Sequence, residues 1–271
     1  MKYKLIALDL DGTLTNDEKV VTPRTREALM EAQRRGVTVV LASGRPTQGI
    51  VPVAEALDIE HYGGYIMAFN GGRITDWSTK EIVSDSVVDP SLMPYLYQCS
   101  KDSGFPILTY QGDSIVTEEP DDEYVVIEAN INKMPVRKMD NFLAEVQHPI
   151  NKCLIVGNPE PLHELELQMA KDLKGRMEVF RSAAFFIELT PLNIDKAQTL
   201  DGLCKKLGIS REEVIACGDG YNDISMIEYA GLGVAMSNSV DEVKAKANYI
   251  TGSNNEDGIA DVVDKFILSQ D

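Results

Sequence analysis

Two aspartates stand two residues apart in Asp9-Leu10-Asp11-Gly12-Thr13, at the end of the apolar run YKLIALDL. Carboxylates at the end of a buried segment are costly unless they are paired, hydrogen-bonded or bound to a cation. If the chain stays extended through this stretch, both side chains point to the same side. Such a pair can hold a hard cation such as Mg²⁺. One carboxylate can attack a phosphorus atom and form an aspartyl phosphate. The other can then serve as general acid and base. A solvated turn at Asp11-Gly12 is the plainer reading of the same residues.

Three further groups have types that suit an anionic substrate. In Ser43-Gly44-Arg45 a hydroxyl and a glycine N–H can receive phosphate oxygens, although Ser43 also reads as a simple helix cap. Lys196 opens a helical stretch, where a cation opposes the helix dipole. It makes sense beside an anion, or it is an ordinary surface lysine. In Gly218-Asp219-Gly220-Tyr221-Asn222-Asp223 an acid again follows a buried run. Asp219 could complete a metal site with Asn222 and Asp223 close by, or the segment is a turn with its cap. Three carboxylates with no His or Cys beside them favour an oxygen-ligated cation, Mg²⁺, over zinc.

The segments that must position these groups alternate. A buried strand leads to Asp9. A helix over 24–35 follows, with Pro23 at its first position and Gly36 at its stop. A second strand over 37–42 ends at Ser43, a helix reaches Leu57, and a third strand over 65–69 ends at Asn70-Gly71-Gly72. This β-α-β-α-β order predicts a parallel, doubly wound, Rossmann-like α/β sheet. Ligands bind such sheets outside the carboxyl ends of the strands, which is where Asp9, Asp11, Ser43 and Asn70 fall. The rhythm then breaks. Residues 82–190 contain short segments (IVSDSVV, PILTYQ, SIVTEE, EYVVIEANI, NKCLIVG, FFIELT) and two helical stretches near 90–103 and 161–173. They predict an inserted α+β domain with an antiparallel sheet. Alternation returns with helix 196–207, strand 213–217, helix 222–230, short strands at 232–236 and 248–251, and helix 257–268. The division expected is therefore 1–81 with 191–271 as one domain and 82–190 as the other.

Composition narrows the function further. The chain of 271 residues carries a formal net charge of -17, which repels a nucleic-acid backbone at long range. No nucleic-acid partner is expected, and an anionic substrate needs local cations. The apolar runs are too short to span a membrane, the opening MKYKLIALDLDG does not read as a signal peptide, and the expected location is the cytoplasm. Cys99, Cys153, Cys204 and Cys217 form no C-x-x-C pair and read as reduced, buried thiols. The three histidines, His61, His148 and His163, give a Ser-His-Asp or His-zinc enzyme little to work with. Nothing in the sequence sets the oligomeric state.

Taken together, D-x-D-G-T at 9–13, S-G-R at 43–45, N-G-G at 70–72, Lys196 and G-D-x-x-N-D at 218–223 resemble the haloacid dehalogenase-like phosphohydrolases. The likeness is to the Cof-type group, which includes sugar-phosphate phosphatases, and it covers essentially the whole chain. It implies a Mg²⁺-dependent phosphatase of small phosphorylated metabolites, with the 82–190 insertion as the cap that sets specificity. It implies Asp9 as nucleophile and Asp11 as acid and base. The Asp9 and Asp219 carboxylates and the Asp11 backbone carbonyl would bind the metal, supported by Asp223. Ser43, Gly44, Lys196 and Asn222 would hold phosphate oxygens. One departure is visible: the family's Asn-Lys-Gly around the lysine is Asp195-Lys196-Ala197 here. A phosphosugar mutase of the same superfamily is the alternative, and a phospho-accepting switch of the receiver type is a more distant one. In the cap, Tyr110, Arg181, Phe185 and Phe186 are candidate substrate contacts, with core packing the competing role for the aromatics.

Overall fold

The structure, a computed structural model, describes residues 2–269. The chain divides into two compact units, one made of the residues up to Ser84 and from Asp195 onward, the other of Asp85–Ile194.

The first unit begins with β1 (Leu5–Leu8), α1 (Pro23–Arg34), β2 (Thr38–Ala42), α2 (Thr47–Ala56), α3 (Ile59–Tyr62) and β3 (Tyr65–Ala68). An antiparallel strand β4 (Arg73–Asp76) and edge strand β5 (Ile82–Asp85) follow. In the second unit come α4 (Met93–Ser103), β6 (Ile107–Gln111), β7 (Ser114–Thr117), α5 (Glu123–Asn132), β8 (Val136–Lys138), α6 (Phe142–Glu145), β9 (Cys153–Val156), α7 (Pro159–Asp172), β10 (Glu178–Ala183) and β11 (Phe186–Thr190). The chain returns to the first unit with α8 (Lys196–Leu207), β12 (Val214–Gly218), α9 (Ile224–Tyr229), β13 (Leu232–Ala235), α10 (Asp241–Lys244), β14 (Tyr249–Ile250) and α11 (Gly258–Val263).

The first sheet runs β14-β13-β12-β1-β2-β3-β4-β5. From β14 to β3 every pairing is parallel. Strands added before the insertion lie on one side of β1 and strands added after it on the other. The order therefore reverses between β1 and β12, the position where open α/β sheets bind ligands. β1 sits at the middle, and Leu5, Ile6, Ala7 and Leu8 are wholly buried. Each fully buried Leu or Ile contributes roughly 1.5–3 kcal/mol, which fixes the strand that delivers Asp9. Thr22 caps α1 by accepting from the Thr25 amide, and Pro23 occupies its first turn. The segment IVSD, grouped by the sequence reading with the insertion, is β5 at the edge of this sheet.

The sheet of the second unit runs β10-β11-β9-β6-β7-β8. It is antiparallel, as expected, except that β7 and β8 are parallel. That pairing corrects one expectation: EYVVIEANI is not a strand but the crossover helix α5. Parallel neighbours need a long connection, usually helical, and this requirement overrides the strand preference of Val125, Val126 and Ile127. Asp122 caps the helix by accepting from the Tyr124 and Val125 amides at 2.9 and 3.3 Å. Val125, Glu128 and Asn132 form its buried stripe. All four cysteines are buried and unpaired. Among the described residues, no helix is long and apolar enough to cross a membrane.

Asp122→Ala should lower the free energy of urea unfolding by about 1 kcal/mol. An unchanged midpoint would mean that the cap does not secure α5.

Candidate active site

Lys196 is the most fully engaged cation in the site. It is the first residue of α8, capped by Asp195, whose carboxylate accepts from the Gln198 amide at 2.9 Å. The Asp that departs from the family's Asn thus performs ordinary capping. The Lys196 side chain is fully enclosed. Its Nζ donates to Asp9 Oδ1 at 2.7 Å, to Asp223 Oδ1 at 2.7 Å and to the Ala42 carbonyl at 3.0 Å. An ammonium has three N–H donors, and all three are used. The surface-lysine reading is therefore excluded. In this state the lysine faces carboxylates rather than an open space for phosphate.

Asp223 spends its other oxygen on the backbone. Oδ2 accepts from the Asp219 amide at 3.0 Å and the Gly220 amide at 2.9 Å, so the carboxylate both anchors Lys196 and shapes the loop bearing Asp219. Thr13 Oγ1 donates to Asp219 Oδ1 at 2.7 Å. Gly12, at φ +83°, lies against Asp219: a Cβ there would come within 2.4 Å of Asp219 Oδ2. Only glycine lets the two loops approach this closely.

Asp9, Asp219 and Asp223 offer oxygens that all lie within 4.8 Å of one another. Three carboxylates against one ammonium leave an excess of two negative charges. Burial pushes the Asp9 carboxyl up to about 8, reinforced by the Asp223 charge and opposed by Lys196. Burial likewise raises Asp219, against the pull of its Thr13 hydrogen bond. Burial alone would lower the Lys196 ammonium, but Asp223 and Asp9 outweigh it and hold it above its ordinary value. Lys196 takes Asp9 by Oδ1 and Thr13 takes Asp219 by Oδ1, so each keeps Oδ2 for a cation. An all-oxygen donor set with two surplus negative charges fits a hard divalent ion.

Asp11 is turned elsewhere. Arg45 grips it in a fork, Nε to Oδ2 at 2.7 Å and Nη2 to Oδ1 at 2.6 Å. Lys19 Nζ lies 2.8 Å from Oδ1. Burial works against the charge on Asp11, yet Arg45 and Lys19 together hold its carboxyl below the usual range. The other predicted residues lie on strand-end loops of the same sheet. Ser43 follows β2, buried, and its Oγ accepts from the Arg45 amide at 3.2 Å, which leaves the hydroxyl proton to donate. Gly44 is packed against the Asn70 amide, as a Cβ there would lie 3.2 Å from it. Asn222 donates through Nδ2 to Asn70 Oδ1 at 2.9 Å. Asn70, Arg45, Lys19 and Thr13 carry contacts that the motif reading did not assign. Arg45 was within reach of it as the third residue of S-G-R; Lys19 belongs to no motif.

In the second unit the candidate contacts are engaged internally. Tyr110 packs in an apolar cluster and donates to Glu128 at 2.5 Å. Phe185 stacks on Tyr124 and meets Phe186 edge-on. Arg181 pairs with Glu166 at 2.8 Å.

A family model described as haloacid dehalogenase-like hydrolase matches residues 6–263. A solved haloacid dehalogenase-like hydrolase from Bacteroides thetaiotaomicron is 48% identical, with a TM-score of 0.96 over 98% of this chain and 100% of that one. The 5-amino-6-(5-phospho-D-ribitylamino)uracil phosphatase YcsE of Bacillus subtilis is 32% identical, covering 98% of this chain and 96% of its own. A solved subclass IIB sugar phosphatase is 25% identical, with a TM-score of 0.77 over 97% of this chain and 98% of that one.

Lys196→Met should cost about 3–5 kcal/mol of unfolding free energy in the presence of EDTA, because two buried carboxylates lose their partner. A loss below about 1 kcal/mol would mean that the lysine does not hold the cluster together.

Proposed function

We propose that this chain, which belongs to the haloacid dehalogenase-like hydrolase family, hydrolyses sugar phosphates through an aspartyl phosphate formed on Asp9. It is a phosphoric monoester hydrolase of small phosphorylated molecules. The narrower substrate class is supported by two relatives, one a sugar phosphatase and the other named for a substrate bearing its phosphate on a ribityl chain. The residues up to Ser84 and from Asp195 form the catalytic domain in this reading, and those between them the specificity domain.

The observation that carries the reading is the buried Asp9 held on one oxygen by Lys196. Lys196 orients it and favours its anionic form. A carboxylate oxygen of Asp9 attacks phosphorus, and the bond from phosphorus to the leaving oxygen breaks. Asp11 delivers a proton to that oxygen. Water then attacks the aspartyl phosphate, Asp11 takes its proton, and inorganic phosphate leaves with Asp9 restored. The ionised state in which Arg45 and Lys19 hold Asp11 suits this second, basic step. The Ser43 hydroxyl, the Gly44 amide and the Asn222 amide receive phosphate oxygens, and Lys196 adds positive charge beside them. Asp9, Asp219 and the Asp11 carbonyl would hold Mg²⁺, with Asp223 in support. When bound, it supplies electrostatic stabilisation of the transferring phosphoryl group.

Hydrolysis of a sugar phosphate should require Mg²⁺ and stop with EDTA. Asp9→Asn should lose at least ~10³-fold in turnover, because an amide is a poor nucleophile. Residual turnover within about tenfold of the parent, or full activity after chelation, would refute the assignment.

A further inference from the structure

The second aspartate of D-x-D-G-T, Asp11, sits in a built cradle of Arg45 and Lys19. The Arg45 side chain is 12% exposed, and its guanidinium is anchored on the following helix, α2, by Nη1, which donates to the Gly49 carbonyl at 3.2 Å. Its backbone is tied to the end of β3, since the Phe69 amide donates to the Arg45 carbonyl at 3.0 Å. The two remaining edges of the fork meet both oxygens of Asp11 in the planar geometry that a guanidinium imposes on a carboxylate.

Lys19 approaches from a loop held by independent contacts. It adopts φ +60°, uncommon for a residue with a side chain. The turn around it is closed by Asn16, whose carbonyl accepts from the Lys19 amide at 2.9 Å and whose side chain accepts from the Val20 amide at 3.0 Å. Asp17, two residues earlier, accepts from Asn254 at 3.2 Å and from Asn255 at 3.0 Å. Asn254 also donates to the Thr15 carbonyl at 3.1 Å. The loop carrying Lys19 is therefore fastened to the segment after β14.

We infer that Arg45 and Lys19 are positioning residues that hold the Asp11 carboxylate at the leaving-group oxygen and out of the cation-binding group formed by Asp9, Asp219 and Asp223. The inference rests on the reading of Asp11 as proton donor and acceptor. A free carboxylate beside three other carboxylates would be drawn toward a divalent cation bound among them. A fork anchored on α2 and a lysine on a fastened loop oppose this pull. A misplacement of about 1 Å at a catalytic group can cost ~10²-fold, so place matters more here than charge alone.

The test compares a sugar phosphate with an aryl phosphate at saturating Mg²⁺. Arg45→Met should lower kcat by ~10²-fold for the sugar phosphate, whose alkoxide needs the proton. The loss of the phosphorylation step should be much smaller for the aryl phosphate. Lys19→Met, a change at a half-exposed side chain that should leave the fold intact, should act in the same direction and less strongly. Arg45→Lys, which keeps the charge without the fork, should recover only part. Adding Arg45→Met to Asp11→Asn should cost nothing beyond Asp11→Asn alone, since the arginine acts through that carboxylate. A loss equal for both leaving groups and carried in KM would make Arg45 a phosphate ligand and overturn the inference. So would full recovery in Arg45→Lys or a further loss in the double variant. If the parent protein turns over neither substrate, the phosphatase reading itself fails before the variants are compared.

Discussion

A single buried ammonium ties the first unit together. Lys196 Nζ joins Asp9 at the end of β1, the Ala42 carbonyl at the end of β2 and Asp223 in the loop after β12. Those three ends flank the point where strand order reverses, so the lysine closes the crevice that the topology opens. A buried ion pair with one partner removed leaves an uncompensated charge. The position of Lys196 at the capped start of α8 is therefore constrained from both directions. The Asp195 cap sets where the helix begins, and the carboxylates require that its first side chain point inward.

Charge explains why the arrangement is a site and more than a structural cross-link. One lysine does not balance Asp9, Asp219 and Asp223, and burial raises Asp9 to about 8. In the proposed reading a divalent cation completes the balance. With that cation bound, Asp9 would be anionic at neutral pH and the -17 chain would gain local positive charge for an anionic substrate. Asp11 receives separate treatment from Arg45 and Lys19, which gives two neighbouring aspartates different surroundings and hence different capacities. The -17 charge thus sets the demand, and in the proposed reading Lys196, Arg45, Lys19 and a cation meet it locally.

Much of this is legible in the sequence because parallel strands buried on both faces read as plain apolar runs. LIAL, TVVLA and VIACG identify themselves, and the polar residues after each are the ones that converge. The helix stops at Gly36 and Gly208 are equally readable. In the second unit the signals are weaker. EYVVIEANI has the composition of a strand and becomes α5 because β7 and β8 need a crossover, a tertiary demand that no local pattern announces. β4, a four-residue antiparallel return beside β3, is too short for periodicity to show. Within the site, Asp9, Asp219 and Asp223 follow from motif and position, whereas Lys19 has no spacing signature. Its placement depends on a left-handed turn and on asparagines more than two hundred residues away.

The central claim is that Asp9 carries the phosphoryl group and Asp11 moves the protons. Rapid quench of Asp11→Asn with an aryl phosphate and Mg²⁺, followed by intact-mass measurement, reads this directly. The account predicts a protein heavier by one phosphoryl group, with the added mass mapping to the peptide that contains Asp9, because the first step proceeds while its hydrolysis lacks a base. Asp9→Asn should show no such species. Phosphorylated protein in Asp9→Asn, or its absence in Asp11→Asn while aryl phosphate is still turned over, would contradict the division of roles.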